Sequence, residues 1–359
     1  MPGPDLCACP MSDSADAPLK TLTLPFSRGE LAWPAGGRVA CLRARAGLLL
    51  PQDVNPADIA AEQSYFPHVQ LLRAGGWNVV DSLESHEGGF ELVLVLPPRQ
   101  KDEARAVFAR ALALCAPGGR IVACQHNDEG ARSGEADLKA LTGLGGSLTK
   151  NHCRVFWSPP CAGRHDAALA ARWLAAEAPR PIAGGRFTSR PGVFAWDRID
   201  PASALLVEHL PAGLAGIGAD LGAGWGYLSA EVLDKCPKVT RIDLYEAEGR
   251  ALALARHNLA GAGERVAFHW GDVGAGLAGK YDFVVTNPPF HTTNRTGRPE
   301  LGQSFIKAAA DGLRQGGRLL LVANRHLPYE DVLGERFCQI DVLAERDGFK
   351  LISAIKAGR

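Results

Sequence analysis

At 359 residues the chain is long enough for about two domains, and its 46% hydrophobic content suffices for buried cores without an apolar run that could cross a bilayer. Lys+Arg and Asp+Glu balance at 39 each, which excludes a whole-protein positive field; any contact with nucleic acid has to come from a local patch. Nine scattered cysteines with no C-x-x-C spacing read as reduced core thiols in preference to disulfides or a zinc site, a pattern that fits a cytoplasmic protein.

Residues 1–20 carry Pro, Ser and Asp without a long apolar core. They are not a signal peptide and read as a disordered leader, with Met11 an alternative start. The region 21–185 alternates short apolar runs with Ala-rich helical patterns. Residues 38–44 and 77–80 read as strands, 57–73 and 103–115 as helices, and this βαβ rhythm predicts a largely parallel sheet. Between Lys150 and Asp200 basic residues outnumber acidic ones, with Phe156, Trp157, Trp173, Phe187, Phe194 and Trp196 interleaved. Such mixing suits a phosphate backbone and exposed bases. Residue by residue, it equally describes a solvated face over core aromatics.

The second half, 186–359, opens on the segment 187–196 and an Ala/Leu helix reaching Leu210. The strand Gly216–Leu221 follows and runs into Asp220-Leu221-Gly222-Ala223-Gly224-Trp225-Gly226. Three glycines here let the chain turn sharply from strand to helix, so that a ligand can approach the backbone. The spacing is G-x-G-x-G, not the dinucleotide fingerprint G-x-G-x-x-G. Next, the run 240–245 ends in Glu246, placed to accept both hydroxyls of a ribose. The run 268–271 then leads to Asp272 and Val273, where an acid could accept from an adenine amino group and the Val273 amide meet a ring nitrogen. Singly, each acid also reads as a surface carboxylate; order and spacing tie them together.

The apolar run 281–285 reads as a buried strand halted by Thr286-Asn287-Pro288-Pro289-Phe290-His291, because Pro-Pro cannot continue it. Asn287 is thereby left at the carboxyl edge, where open α/β sheets place their chemistry. The Asn287 side-chain carbonyl, the Asn287 and Pro288 main-chain carbonyls and the Phe290 ring would suit a planar group bearing an NH2. Asn-Pro-Pro alone also reads as a strand-terminating loop with a solvated Asn.

The chain repeats itself as well. Residues 90–99 lie without gaps over 281–290, and Gly118-Gly119-Arg120 lies over Gly316-Gly317-Arg318. Two similar α/β domains in tandem, 21–185 and 186–359, are the economical explanation. In the first, Leu96 stands in the place of Asn287 and Arg99 in the place of the aromatic, with no glycine triad ahead of them. Its framework is kept and its site lost.

On Asp220 to Gly226, Glu246, Asp272 and Asn287 to Phe290, the chain resembles the class I S-adenosylmethionine-dependent methyltransferases, in particular members that methylate planar amino nitrogens. More narrowly it is similar to the tandem-domain, RsmC-type ribosomal RNA guanine-N2 methyltransferases and their large-subunit relatives. That likeness rests on Pro191-Gly192-Val193-Phe194, on Asn287-Pro288-Pro289-Phe290-His291, and on Val322-Ala323-Asn324-Arg325-His326-Leu327-Pro328-Tyr329. It covers about residues 187–356; over the first half the likeness is one of architecture. The resemblance implies two tandem Rossmann-like domains, the first degenerate. It implies S-adenosylmethionine held by Asp220, Gly222, Ala223, Gly224 and Gly226 at its amino-acid end, by Glu246 at the ribose and by Asp272 and Val273 at the adenine. Asn287, Pro288, Pro289 and Phe290 would be catalytic, with Phe194 and His291 on the substrate side and His326 and Tyr329 lining the mouth, or else packing the loop after Val322. No metal and no membrane are implied, and the partner would be ribosomal RNA or a ribosomal subunit, the small-subunit 16S RNA first. A large-subunit RNA, an adenine-N6 or protein glutamine acceptor, and a non-catalytic RNA-binding assembly factor are the competing readings.

Overall fold

In a computed structural model of the chain, which describes residues 17–161, 165–289 and 299–358, the apolar runs pair into two seven-stranded sheets. The chain divides between Ala178 and Pro179, with Tyr65–Pro67 counted in the second unit. The first unit holds β1 (Val39–Leu42), β2 (Ile59–Glu62), β3 (Asn78–Val80), β4 (Phe90–Val95), β5 (Cys115–His126), β6 (Gly146–Lys150) and β7 (Cys153–Trp157). They lie in the order β3-β2-β1-β4-β5-β7-β6. A two-stranded ribbon, β8 (Arg180–Ile182) with β9 (Phe187–Ser189), opens the second unit. The strands β10 (Gly216–Leu221), β11 (Val239–Glu246), β12 (Val266–Trp270), β13 (Tyr281–Thr286), β14 (Leu313–Asn324), β15 (Phe337–Arg346) and β16 (Phe349–Lys356) follow. Their order, β12-β11-β10-β13-β14-β16-β15, matches the first sheet position for position. The repeated segments therefore occupy the same places, β4 matching β13 and β5 matching β14. Within the two large sheets β7 and β16 run antiparallel to their neighbours and the rest are parallel, and the β8–β9 ribbon is antiparallel.

Burial on both faces explains why β13 and β14 read as near-continuous apolar runs. Tyr281, Val284, Leu319 and Leu321 join Ile306 and Ala309 of the helix Pro299–Gly312 on one side. Phe283, Val285, Leu320 and Val322 join Leu205, Leu206 and Val232 on the other, from the helices Pro201–Glu208 and Tyr227–Lys235. Strand order reverses at β10, whose neighbours are β11 and β13. Open α/β sheets bind ligands outside the carboxyl ends of the strands at such a point.

Four expectations are corrected. The helix foreseen over 57–73 begins only at Phe66–Ala74, and Ile59–Glu62 is strand β2. Parallel pairing of Ile59 and Ala61 with Val39 and Cys41 of β1 overrides the helical propensity of an Ala-rich run. Of the leader expected over 1–20, residues 1–16 lie outside the described residues, and Ala17–Leu22 is helical and buries Leu19 and Leu22 in the first core. The boundary falls before 185 because Ile182 and Phe187 of the β8–β9 ribbon pack on Trp225 and Leu254 in the second unit. Finally, Phe156, Trp157, Trp173 and Phe187 are buried, so most aromatics of the basic stretch belong to the cores, and Phe194 alone of them is exposed.

Among the described residues every cysteine is free, and no His, Cys, Asp and Glu cluster could hold a metal. No helix among them is long and apolar enough to cross a membrane.

The closeness of β10 to β13 depends on Gly218. A Cβ there would lie 2.1 Å from Cζ of the Phe283 ring, itself buried. Gly218→Ala is expected to cost about 1–3 kcal/mol in urea unfolding through overpacking, whereas Gly213→Ala, with open space around it, should stay close to the parent protein. Equal stabilities for the two variants would contradict this packing.

Candidate active site

Strands β10 and β13 end side by side, Leu221 paired with Thr286. The buried Thr286 hydroxyl donates to the Leu221 carbonyl at 2.8 Å and clamps the two ends together. One residue further, the glycine loop leaves β10 and Asn287 leaves β13, so two motifs 65 positions apart in the chain become neighbours.

In the loop, Gly224 takes a left-handed φ of +56°, and a Cβ added there would meet nothing within 4 Å. Its open side faces a concavity of about 40 Å³, lined by Phe194, Asp200, Ser203, Gly222, Ala223 and Asn287 among others. That space takes one end of a ligand rather than a whole nucleoside. Gly226, with φ +92°, serves packing: a side chain there would press on Ala255 and Leu259.

Two carboxylates hold the loop from below and beside. Asp220 is fully buried and accepts from the Ser229 amide (3.1 Å) and hydroxyl (2.7 Å) with one oxygen. Its other oxygen, Oδ1, is buried with no hydrogen-bond partner among the described residues. Burial pushes the Asp220 carboxyl up to about 7, against the pull of the Ser229 hydrogen bonds. Glu246, at the tip of β11, accepts from the Gly224 amide at 2.7 Å and from the Glu248 amide at 2.8 Å. Burial raises its carboxyl as well, and the Glu248 and Gly224 amides draw it back. Asp272 follows β12 and caps a short turn through the Gly274 amide (2.8 Å), while the Gly271 amide reaches the Glu246 carbonyl at 3.1 Å. The second and third strand tips are thus joined. Val273 is buried behind them.

Asn287 is held firmly. Its Nδ2 donates to Asp200 Oδ2 at 2.8 Å and to Ser203 Oγ at 2.9 Å. A carboxylate can only accept, so the amide orientation follows from Asp200. The Asn287 carbonyl, Oδ1, is left buried with no partner among the described residues. Pro288 is buried and Pro289 exposed. Phe290 and His291 lie outside the described residues.

Phe194 is 64% exposed on the same concavity, its carbonyl fixed by the Trp225 indole N–H at 3.2 Å. His326 is exposed just beyond β14, where its amide caps back to Asn324. Tyr329 departs from the expectation that it lines the mouth. It is fully buried in the core on the Pro299–Gly312 side, against Gly302, because its apolar ring packs better there than in solvent.

Asp200 and Ser203 were not foreseen. Asp200-Pro201 before an apolar helical pattern is a legible helix start: Asp200 caps Pro201–Glu208 through the Ser203 amide at 2.9 Å. Its contact with Asn287, across 87 positions, carries no signal in the chain.

The residues fit a ligand with a cation at one end and a ribose beyond it. The orphaned, buried Asp220 oxygen is unfavourable on its own and natural for such a ligand, and the open backbone at Gly224 leaves room beside it.

The raised Asp220 carboxyl has a consequence for stability. A folded-state value above the unfolded one means that folding favours the protonated acid, so stability is full below about pH 4 and declines as pH rises toward 7. Asp220→Asn should remove that decline, leaving the ligand-free variant more stable than its parent at pH 8 by about 2–4 kcal/mol, with a much smaller gap at pH 5. Parallel thermal-melting profiles across that range would contradict the assignment.

Known proteins resemble this chain in sequence and in fold. The methyltransferase small domain family matches residues 184–353. Ribosomal RNA small subunit methyltransferase C of Sodalis glossinidius is 31% identical over 313 residues, covering 86% of this chain and 87% of that one. Its namesake in Shewanella halifaxensis is 30% identical over 278 residues, covering 76% and 79%. Among solved structures, the T. thermophilus 16S rRNA N2 methyltransferase RsmC, in complex with AdoMet and guanosine, aligns with a TM-score of 0.78 at 24% identity over 95% of this chain and 92% of that one. That likeness speaks for the α/β fold. With identity of 31% sustained over most of both chains, the protein belongs to the ribosomal RNA small subunit methyltransferase C family.

Proposed function

We propose that the second unit methylates the exocyclic N2 amine of a guanine in small-subunit ribosomal RNA, with S-adenosylmethionine as donor. The observation that carries this reading is the Asn287 amide. Both its N–H groups are consumed by Asp200 and Ser203, and its carbonyl is left as a buried acceptor without a partner among the described residues. A buried acceptor of that kind favours an incoming N–H group.

The Asp220 carboxylate and the Gly222 to Gly226 loop would hold the amino-acid end of the donor, Glu246 its ribose, and Asp272 with Val273 its adenine. When bound, the donor supplies an electrophilic methyl group on a sulfonium. The chain's own contribution is positioning and electrostatics. Asn287 Oδ1 and the Pro288 carbonyl each accept one hydrogen of the amine. This turns the nitrogen lone pair out of the base plane and stabilises positive charge as the new bond forms. The proton leaves to solvent afterwards, so no general base is required. The exposed ring of Phe194 offers a face for a base taken out of its stack. Phe290 would stack likewise, and His291 and His326 would shape the approach of RNA. The first unit, with Leu96 and Arg99 where a site would stand, would serve RNA recognition rather than a second catalytic centre. Ribosomal RNA as the substrate makes the cytoplasm the place of action.

Asn287→Ala should lower kcat about 100–1000-fold and leave calorimetric affinity for S-adenosylmethionine within about twofold, because Asn287 serves the base. A parallel collapse of cofactor binding would overturn the role of Asn287, and absence of any binding heat in the parent protein would overturn the enzyme itself.

A further inference from the structure

Asp200 spends one oxygen twice. Oδ2 accepts both the Ser203 amide, as helix cap, and the Asn287 side-chain amide. Oδ1 has no hydrogen-bond partner among the described residues, and Asp200 is half-buried on the wall that also carries Asn287. Both side chains line the concavity, and each keeps one oxygen without a partner among the described residues, Asn287 Oδ1 and the carboxylate oxygen Asp200 Oδ1.

Planar bases differ in what they would present to such a pair. Guanine carries N1–H beside its N2 amine, two donors in a row. Adenine carries a lone pair at N1 beside its N6 amine. Building on the guanine reading above, we propose that Asp200 determines base specificity: its free oxygen accepts guanine N1–H while Asn287 takes the N2 amine. An adenine in the same position would set its N1 lone pair against a carboxylate, leaving two acceptors face to face in a desolvated site. Sites built to hydrogen-bond a donor reject analogues that lack it by large factors, because the buried acceptor is then unpaired. The same side chain orients the Asn287 amide, so recognition of the base and placement of its amine share one anchor.

2-Aminopurine riboside isolates the N1 contact. It keeps the amine at position 2 but has a bare lone pair at N1. Binding of guanosine and of 2-aminopurine riboside is measured by titration of the full-length protein saturated with S-adenosylhomocysteine, so that no turnover intervenes. The parent protein should prefer guanosine by at least about 30-fold, consistent with loss of one charge-assisted hydrogen bond. Asp200→Asn keeps a cap-competent residue, can still accept from Ser203 and Asn287, and presents an N–H where the free carboxylate oxygen was. Its preference should narrow to about threefold or invert, by losing guanosine and gaining 2-aminopurine riboside. The analogue also lacks the 6-oxygen of guanine in both proteins, so the change in ratio reports position 200 alone. Ser203→Ala, which loosens Asn287 but leaves the carboxylate, should keep the parent ratio. Unchanged affinity for S-adenosylhomocysteine certifies the fold of each variant; should Asp200→Asn fail that control, Asp200→Ser, another capping residue, should lose the preference in its place. A ratio in the variant equal to that of the parent would overturn the proposal and leave Asp200 a helix cap. If the parent protein binds S-adenosylhomocysteine but neither nucleoside, the guanine reading itself fails.

Discussion

The pairing of Leu221 with Thr286 governs the site. Strand ends at a topological switch point diverge by construction, one turning into a helix-bound loop and the other into whatever follows. Here the Thr286 hydroxyl bond to Leu221 pins the divergence to a single residue. The glycine loop and Asn287 then open on one concavity, with little room between them. The Gly218 and Phe283 contact below keeps the strands in that register, and the Pro288-Pro289 pair stops β13 where Asn287 is still within reach.

Around this junction the polar groups are unevenly satisfied. Asp220, Glu246 and Asn287 are each tied down on one side and left short of partners, or strongly desolvated, on the other. Buried polar groups are ordinarily paired, so a cluster of incomplete ones at a sheet's carboxyl edge marks a place prepared for a polar ligand. The first unit repeats the sheet with a different strand end at this place. Leu96 is buried where Asn287 would stand, and the corresponding strand end is apolar. The scaffold stands in the first unit without the site residues because packing, not those residues, holds it together.

Much of this was legible in the chain. The apolar runs of β10, β13 and β14 are buried on both faces and declare themselves without help from periodicity, and the Phe90 and Tyr281 segments align by inspection. Glycines at 222, 224 and 226 and acids at 246 and 272 stand out by order and spacing; the glycines lie in the turn from β10 to the helix Tyr227–Lys235, and the acids at or just past the tips of β11 and β12. What escaped was decided by contacts distant in sequence. The Ala-rich β2 becomes a strand only because β1 accepts it. Tyr329 looks like a surface aromatic until the Pro299–Gly312 helix covers it. Asp200 reads as a helix cap, and nothing local reveals that its carboxylate also holds the side chain of residue 287. The aromatics between 150 and 200 suggested a binding surface because composition cannot tell a buried ring from an exposed one.

The claim on which the rest depends is that a carbonyl-presenting strand tip delivers a guanine amine for methylation. Nucleoside mass spectrometry of small-subunit ribosomal RNA, from cells with and without this protein, addresses it most directly. Loss of one N2-methylguanosine per small-subunit RNA, restored by the parent gene, is the expected result. An unchanged N2-methylguanosine content, or loss of a methyl group from adenine instead, would contradict it.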